Sequence, residues 1–220
     1  MIEKIYNEIL NDKSIKLLYN EIEILEDREK GWAYHNYAHV LNVTKIVEKT
    51  LLSIGFNQEV ILKAKIACLL HDVGALQGKD NHAYRSYEYA KNYLKDNNIV
   101  FDGIEDVLEA IKIHSDGFDT NNLIALSLIF ADKLDIKKSR ITEEGKKIVG
   151  NRQYVHIEDI IVSTDNKCLI VNFITDGNMN MKEVNEYYFT KKVFNAIKSF
   201  SSKVGLTWKV LLDNNIWSID

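Results

Sequence analysis

His39, the dipeptide His71-Asp72 and Asp132 follow one another along the chain, each beside an apolar helical pattern. Together they offer a divalent cation two imidazoles and two carboxylates, a mixed donor set that suits iron, manganese, zinc or magnesium better than a soft-metal site would. The dipeptide alone carries little weight, since a chain of this length with 6 His holds about 0.4 His-Asp pairs by chance. Its context carries more. The pair closes the apolar run Ile66-Ala67-Cys68-Leu69-Leu70 and is followed by Val73-Gly74, so both side chains are expected near the C-terminal end of a buried helix, where neighbouring residues can turn toward one ion.

Further histidines stand in suggestive places. Tyr34-His35-Asn36-Tyr37-Ala38-His39 puts two imidazoles four residues apart, on one helix face if the helix has begun by His35. The zinc-protease pattern is absent, because no Glu sits beside the first His. His39 lies one turn before Val43 and should face inward at the rim of the bundle. His82 begins one helical pattern and His114 ends another; a helix cap and a favourable C-terminal imidazole are the plain alternatives to metal binding for these two. His156 matches no pattern.

The elements that must position these residues are helical up to about residue 147. Apolar residues recur at helical spacing from Ile2 to Leu10 and from Ile15 to Leu25, and the charge run Glu26 to Lys30 with Gly31 breaks the pattern. Helices are then predicted over Asn36 to Ser53, ending at Gly55 with Val40, Val43, Ile46, Val47 and Leu51 inward, and from Asn57 toward the His-Asp pair. A polar loop from Gly74 to Asn81 precedes three more, His82 to Leu94, Ile104 to His114 and Leu123 to Leu134. The character changes after Gly150. Ile157 to Ser163 and Leu169 to Ile174 read as strands around the turn Thr164 to Lys167, followed by one long helix over Val184 to Val204 and a strand over Leu206 to Leu212. The fold class expected is mainly α: a helical metal-binding domain over 1–147 and a small α+β (ββαβ) appendage over 148–220, with a structural, interfacial or regulatory role.

Composition narrows the function classes. A net charge of -4 and a pI near 5.9, without a stripe of Lys and Arg interleaved with aromatics, argue against bulk nucleic acid as a partner. A phosphorylated small molecule would need its positive charge supplied locally, by metal and a few basic side chains. The acidic, amphipathic first residues read as a helix rather than a signal peptide, and no apolar run approaches a membrane span, so the protein is expected in the cytoplasm. Cys68 and Cys168 are expected as two unpaired thiols.

The order His39, His71-Asp72, Asp132, with Ala131-Asp132-Lys133-Leu134 around the last Asp, resembles the HD superfamily of metal-dependent phosphohydrolases over about residues 30 to 140. The resemblance implies an HD-type helical bundle, with His39, His71, Asp72 and Asp132 as ligands of a first divalent ion. In the dinuclear branch of that superfamily, histidines placed like His82 and His114 bind a second ion bridged by the Asp of the pair; one ion is expected here and two are allowed. The stretch Tyr34 to His39 is similar to a motif of cyclic-nucleotide phosphodiesterases of the same superfamily, which makes His35 a candidate general acid beside Asp72 and Asp132 as catalytic carboxylates. Many dinuclear members carry a Lys directly after the Gly that follows the pair, whereas Ala75 stands there in this chain. Lys79, Arg85, Lys112 and Lys133 are the candidate replacements, with Arg85 and Lys133 taken as substrate contacts. The activity implied is hydrolysis of a nucleotide or related small phosphate ester by metal-activated water, in a chain free to form a homo-oligomer. Two alternatives share the scaffold: a non-catalytic nucleotide-sensing module, and a di-iron oxygenase similar to myo-inositol oxygenase.

Overall fold

A computed structural model describes residues 1–219. Helices α1 (Ile2–Asn11) and α2 (Lys13–Arg28) are separated by Asp12, whose carboxylate accepts from the Ser14 N–H and so caps α2. α3 (Tyr37–Ile54) starts on Asn36, whose side-chain oxygen accepts from the His39 N–H at 3.0 Å, and ends on Gly55 in the left-handed conformation. α4 (Gln58–Leu70), α5 (His82–Asp96), α6 (Ile104–Ile113) and α7 (Leu123–Leu134) follow, with Asn57 and Asn122 as side-chain caps of α4 and α7. These are the helices the periodicity predicts. The inward stripe of α3 is also as expected, except that Ile46 is only half-buried.

α4 and α7 form the centre of the bundle. Every residue of α7 from Ile124 to Leu134 is buried, and a helix apolar on all sides must be surrounded by others. Its charged residues, Asp132 and Lys133, sit in the last turn, so the core itself delivers a carboxylate to the end of the bundle.

The C-terminal part carries a sheet of order β1-β2-β3-β4. β1 (Ile157–Asp165) and β2 (Cys168–Thr175) form the expected hairpin, closed by Asn166 and Lys167 at φ 47° and 62°, the geometry of a two-residue turn that matches strand twist. β2 pairs in parallel with β3 (Thr207–Leu212), which requires the helical crossover between them. Two features differ from expectation. A fourth strand, β4 (Asn215–Ile216), pairs antiparallel with β3 across Asp213 and Asn214, both at positive φ. The predicted single helix is broken at Tyr187 into α8 (Met181–Glu186) and α9 (Tyr188–Lys203). The break is held by Thr190, whose hydroxyl donates to the Val184 carbonyl at 2.6 Å, and by Gly150, whose φ of +84° lets the backbone lie against the Tyr187 ring.

One continuous apolar cluster links the two parts. Phe130 of α7 stacks on Phe200 of α9 with ring centroids 4.7 Å apart, and both are buried. On the sheet's inner face Leu169, Val171 and Phe173 pack with Val193 and Ile197 in the same cluster. Cys68 is buried, Cys168 is half-buried, and both are free thiols. Among the described residues no helix is long and apolar enough to cross a membrane.

Candidate metal centre

Six side chains reach one point from five helices. His39 projects from the first turn of α3, His71 is the C-terminal cap of α4 with Asp72 directly after it, and His82 opens α5. His114 caps the C-terminus of α6, and Asp132 leaves the last turn of α7. Gly74 is required for this convergence. A Cβ there would meet the His82 carbonyl oxygen and the Ser86 nitrogen, each at 2.5 Å, so only glycine lets α5 pack close enough for His82 to reach the centre. The Gly74 N–H donates to Ser86 Oγ at 2.9 Å and fixes that approach.

Asp72 divides the donors into two groups. Its Oδ2 lies 3.0 Å from His71 Nε2 and 3.4 Å from His39 Nε2, and Asp132 Oδ1 completes this group 3.2 Å from His39 Nε2. Its Oδ1 faces the other way, 3.4 Å from both His82 Nε2 and His114 Nε2. His39, His71, Asp72 and Asp132 could hold one ion, and Asp72, His82 and His114 could hold another. The six sequence-predicted metal residues are therefore brought together.

The protonation pattern tests whether a cation fits. Nδ1 of His71, His82 and His114 each lies against the carbonyl three residues earlier, of Cys68, Lys79 and Ile111, at 2.8, 2.7 and 2.8 Å. Nδ1 of His39 faces Asp135 Oδ2 at 2.8 Å. Each Nδ1 donates to these oxygens, which in the neutral imidazole leaves Nε2 as a lone pair aimed inward. Two such lone pairs, on His82 and His114, stand 3.0 Å apart. His39 Nε2, His71 Nε2 and both oxygens of Asp72 are buried without a hydrogen-bond partner. Buried acceptors crowded together without donors are costly, and a cation is the species that satisfies them all. The residues fit a divalent metal.

Three neighbours not singled out in the sequence surround the donors. Buried Asp135 orients His39. Glu26 is also buried; one of its oxygens accepts from His35 Nδ1 and the other from the His35 N–H at 2.7 Å. Arg140 Nη1 stands 2.6 Å from His39 Nδ1; since that Nδ1–H belongs to Asp135, the guanidinium donates instead to the Asp135 carbonyl at 3.3 Å and Asp132 Oδ1 at 3.4 Å. The Glu26 charge run reads as a solvated helix end in sequence, and only the fold turns its first carboxylate inward. Asp135, three residues past Asp132, offers a weak local signal.

The charges settle accordingly. Burial pushes the Asp72 carboxyl up, but the positive charge that His71 and its neighbours carry when protonated holds it well below the usual carboxylate range, a pull that a cation on the same Nε2 atoms would replace. Burial acts likewise on Asp132, where Lys133, His39, His71 and Arg140 prevail. For His35 burial wins over the pull of Asp72 and Glu26 and presses the imidazole down to about 4.

A cavity of about 530 Å³ opens over Asp72 and Asp132. Lys79, Lys112, Lys133, Arg140 and Lys192 line it, giving the locally concentrated positive charge that the overall composition lacks. Lys133 is partly committed, its Nζ donating to Asp132 Oδ2 at 2.7 Å. Arg85 departs from expectation. Its guanidinium donates to the carbonyls of Gly74, Asp80 and Gly78, so it clamps the loop before α5 and does not line the cavity. His156 pairs with Asp176 at 3.0 Å, far from any role here. The C-terminal part is more involved than its composition suggests, because Tyr188, Phe189 and Lys192 of α9 form one wall of the cavity.

A helical bundle that gathers imidazoles and carboxylates around buried, unpartnered lone pairs is one that could hold a divalent metal. Residues 36–149 match the HD domain family, more than half of the 220 residues, and the chain belongs to that family, within the HD superfamily of metal-dependent phosphohydrolases. The match takes in all six candidate metal donors and leaves out Glu26, His35 and the α9 wall of the cavity. No curated protein matches the chain.

Proposed function

We propose that the protein is a phosphohydrolase acting on a nucleotide or a related small phosphate ester, with two divalent ions held on either side of Asp72. The observation that carries this reading is the division of the Asp72 oxygens between two groups of bare Nε2 lone pairs. When bound, the ions supply an acidified water as nucleophile and neutralise phosphoryl oxygens during in-line attack.

The chain's own residues do the rest. Asp72 would bridge the ions, with His39, His71 and Asp132 holding one and His82 and His114 the other. Asp135 keeps His39 in the tautomer that presents Nε2. Lys79, Lys112, Lys133, Arg140 and Lys192 balance the substrate's negative charge, and Lys79 takes the place of the lysine missing after Gly74. His35 lines the same cavity with Nδ1–H held by Glu26, leaving Nε2 to carry a proton to the leaving oxygen. A neutral His35 in the free protein gains that proton when an anionic phosphoryl group arrives, since a nearby negative charge favours the imidazolium. The cationic lining favours this reading over an oxygenase acting on a neutral substrate.

The test is release of phosphate from a panel of nucleotides and phosphodiesters by protein reconstituted with Mn²⁺ or Fe²⁺, before and after chelation. Turnover that follows metal content supports the assignment; a fully metal-loaded protein inert on the whole panel contradicts it.

A further inference from the structure

Beside the cavity over the metal donors lies a second, smaller one of about 110 Å³ that shares His35, Lys79, Arg140, Tyr188 and Phe189 with it. Its walls are aromatic. Trp32, in the segment before α3, forms one side, and Tyr187, Tyr188 and Phe189 form the other. The break between α8 and α9 is what makes the second wall. Tyr187 has extended backbone, so three consecutive aromatic residues wrap the cavity around the buried Tyr154, whose ring centroid is 5.7 Å from Tyr187 and 6.5 Å from Phe189. An unbroken helix would spread them over different faces.

Two of these rings are left open. Trp32 is 43% and Tyr188 55% exposed, although large aromatic side chains gain most from being covered. Of the polar groups along the walls, Asn151 and Tyr154 are already engaged, and Lys79, Arg140 and His35 are shared with the larger cavity. Asn151 Nδ2 donates to the carbonyls of Gly145 and Trp32 at 3.0 and 3.3 Å, and the Tyr154 hydroxyl bonds the Thr190 hydroxyl at 2.9 Å. With the charged groups turned to the phosphate side, what the walls offer a flat ring is mainly aromatic faces. His35 borders both cavities, so a phosphate ester whose phosphorus lies over Asp72 and whose leaving oxygen faces His35 directs its leaving group between Trp32 and Tyr188.

We propose that this pocket binds a planar aromatic group on the leaving side of the substrate, a nucleobase in the simplest case, by stacking and without selecting which base. The proposal rests on the phosphohydrolase reading for the substrate's orientation, and the aromatic walls of its site, Trp32 and Tyr187 to Phe189, lie outside the segment matched by the family. Stacking tolerates any ring with a π-face, whereas strong discrimination requires hydrogen bonds made to one ring and left unmade with another.

The experiment is titration of the full-length, metal-loaded protein with adenosine, uridine and ribose, followed by calorimetry, so that no turnover is needed. Adenosine and uridine are expected to bind within about tenfold of each other, and ribose to bind far more weakly. Trp32→Ala and Tyr188→Ala, both at exposed positions, are expected to weaken adenosine roughly 10- to 100-fold while metal content stays that of the parent. Absence of nucleoside binding, unaltered binding in both variants, or a preference for one base above about a thousandfold overturns the proposal. If nucleosides bind as stated and no phosphate ester is hydrolysed, the phosphohydrolase reading fails and the stacking pocket stands.

Discussion

Asp135 Oδ2 accepts from His39 Nδ1 at 2.8 Å, with both side chains buried. A carboxylate behind a metal-binding imidazole fixes its tautomer and raises its basicity. Asp135→Ala is expected to weaken metal binding by roughly 10- to 100-fold, measured by competition with a chelator of known affinity. Asp135→Asn keeps an acceptor oxygen and should lose less. Parental affinity in the alanine variant would mean that His39 needs no such support.

If each face of Asp72 holds an ion, the two faces should separate in their metal content. His114→Ala removes a donor only from the Oδ1 side, so elemental analysis should find one ion lost and one kept. Asp72→Ala removes an oxygen from both groups and should empty both. Equal metal content in His114→Ala and the parent would show that the His82 and His114 side holds nothing.

His35 is read as a proton carrier and not a ligand. His35→Ala should keep its metal while lowering turnover by about 10²- to 10⁴-fold, with the largest loss on substrates whose leaving groups need a proton. Glu26→Gln should act in the same direction. Loss of metal from His35→Ala would make His35 a donor.

Much of this site was legible because its donors stand at helix ends. His71 and His114 follow the apolar runs of α4 and α6, and the sequence marks both endings. His82 and Gly74 were legible only as positions, since the reason for glycine is the approach of α5 across the chain. Glu26, Asp135 and Arg140 were not legible. The roles of Glu26 and Asp135 come from partners 9 and 96 residues away in sequence, and an acid in a charged run looks the same whether it faces solvent or an imidazole. The helix break at Tyr187 was hidden for a similar reason: the apolar period runs straight through it, and what stops the helix is the Thr190 hydroxyl and the backbone of Gly150. β4 was missed as a strand of two residues, although Asp213-Asn214 carries turn chemistry.

Acid should loosen that helix break. Glu183 accepts from the Gly150 N–H at 2.7 Å and from Arg152 Nε and Nη2 at 2.7 and 2.8 Å. Arg152 leads in lowering its carboxyl from 4.5 to about 2. A carboxyl depressed by folding contributes fully above its unfolded value of 4.5 and loses that contribution as pH falls toward 2. Thermal unfolding midpoints from pH 6 downward should therefore fall less steeply in Glu183→Gln than in the parent. Parallel curves would remove Glu183 from the account.

Phe200→Ala tests how firmly α9, and with it the aromatic wall, is joined to the bundle. Removing a buried ring stacked on Phe130 should cost about 3–5 kcal/mol in denaturant unfolding. A loss under about 1 kcal/mol would mean that the two parts are joined elsewhere.

The split donor set around Asp72 is proposed to serve hydrolysis of phosphate esters. Its most direct test is phosphate release from nucleotides by the Mn²⁺-loaded protein, with metal per chain measured on the same sample. Two ions per chain are expected, with turnover abolished by chelation and restored by Mn²⁺, and none in Asp72→Ala. Two bound ions without hydrolysis of any nucleotide or phosphodiester, or hydrolysis that survives chelation and Asp72→Ala alike, would contradict this proposal.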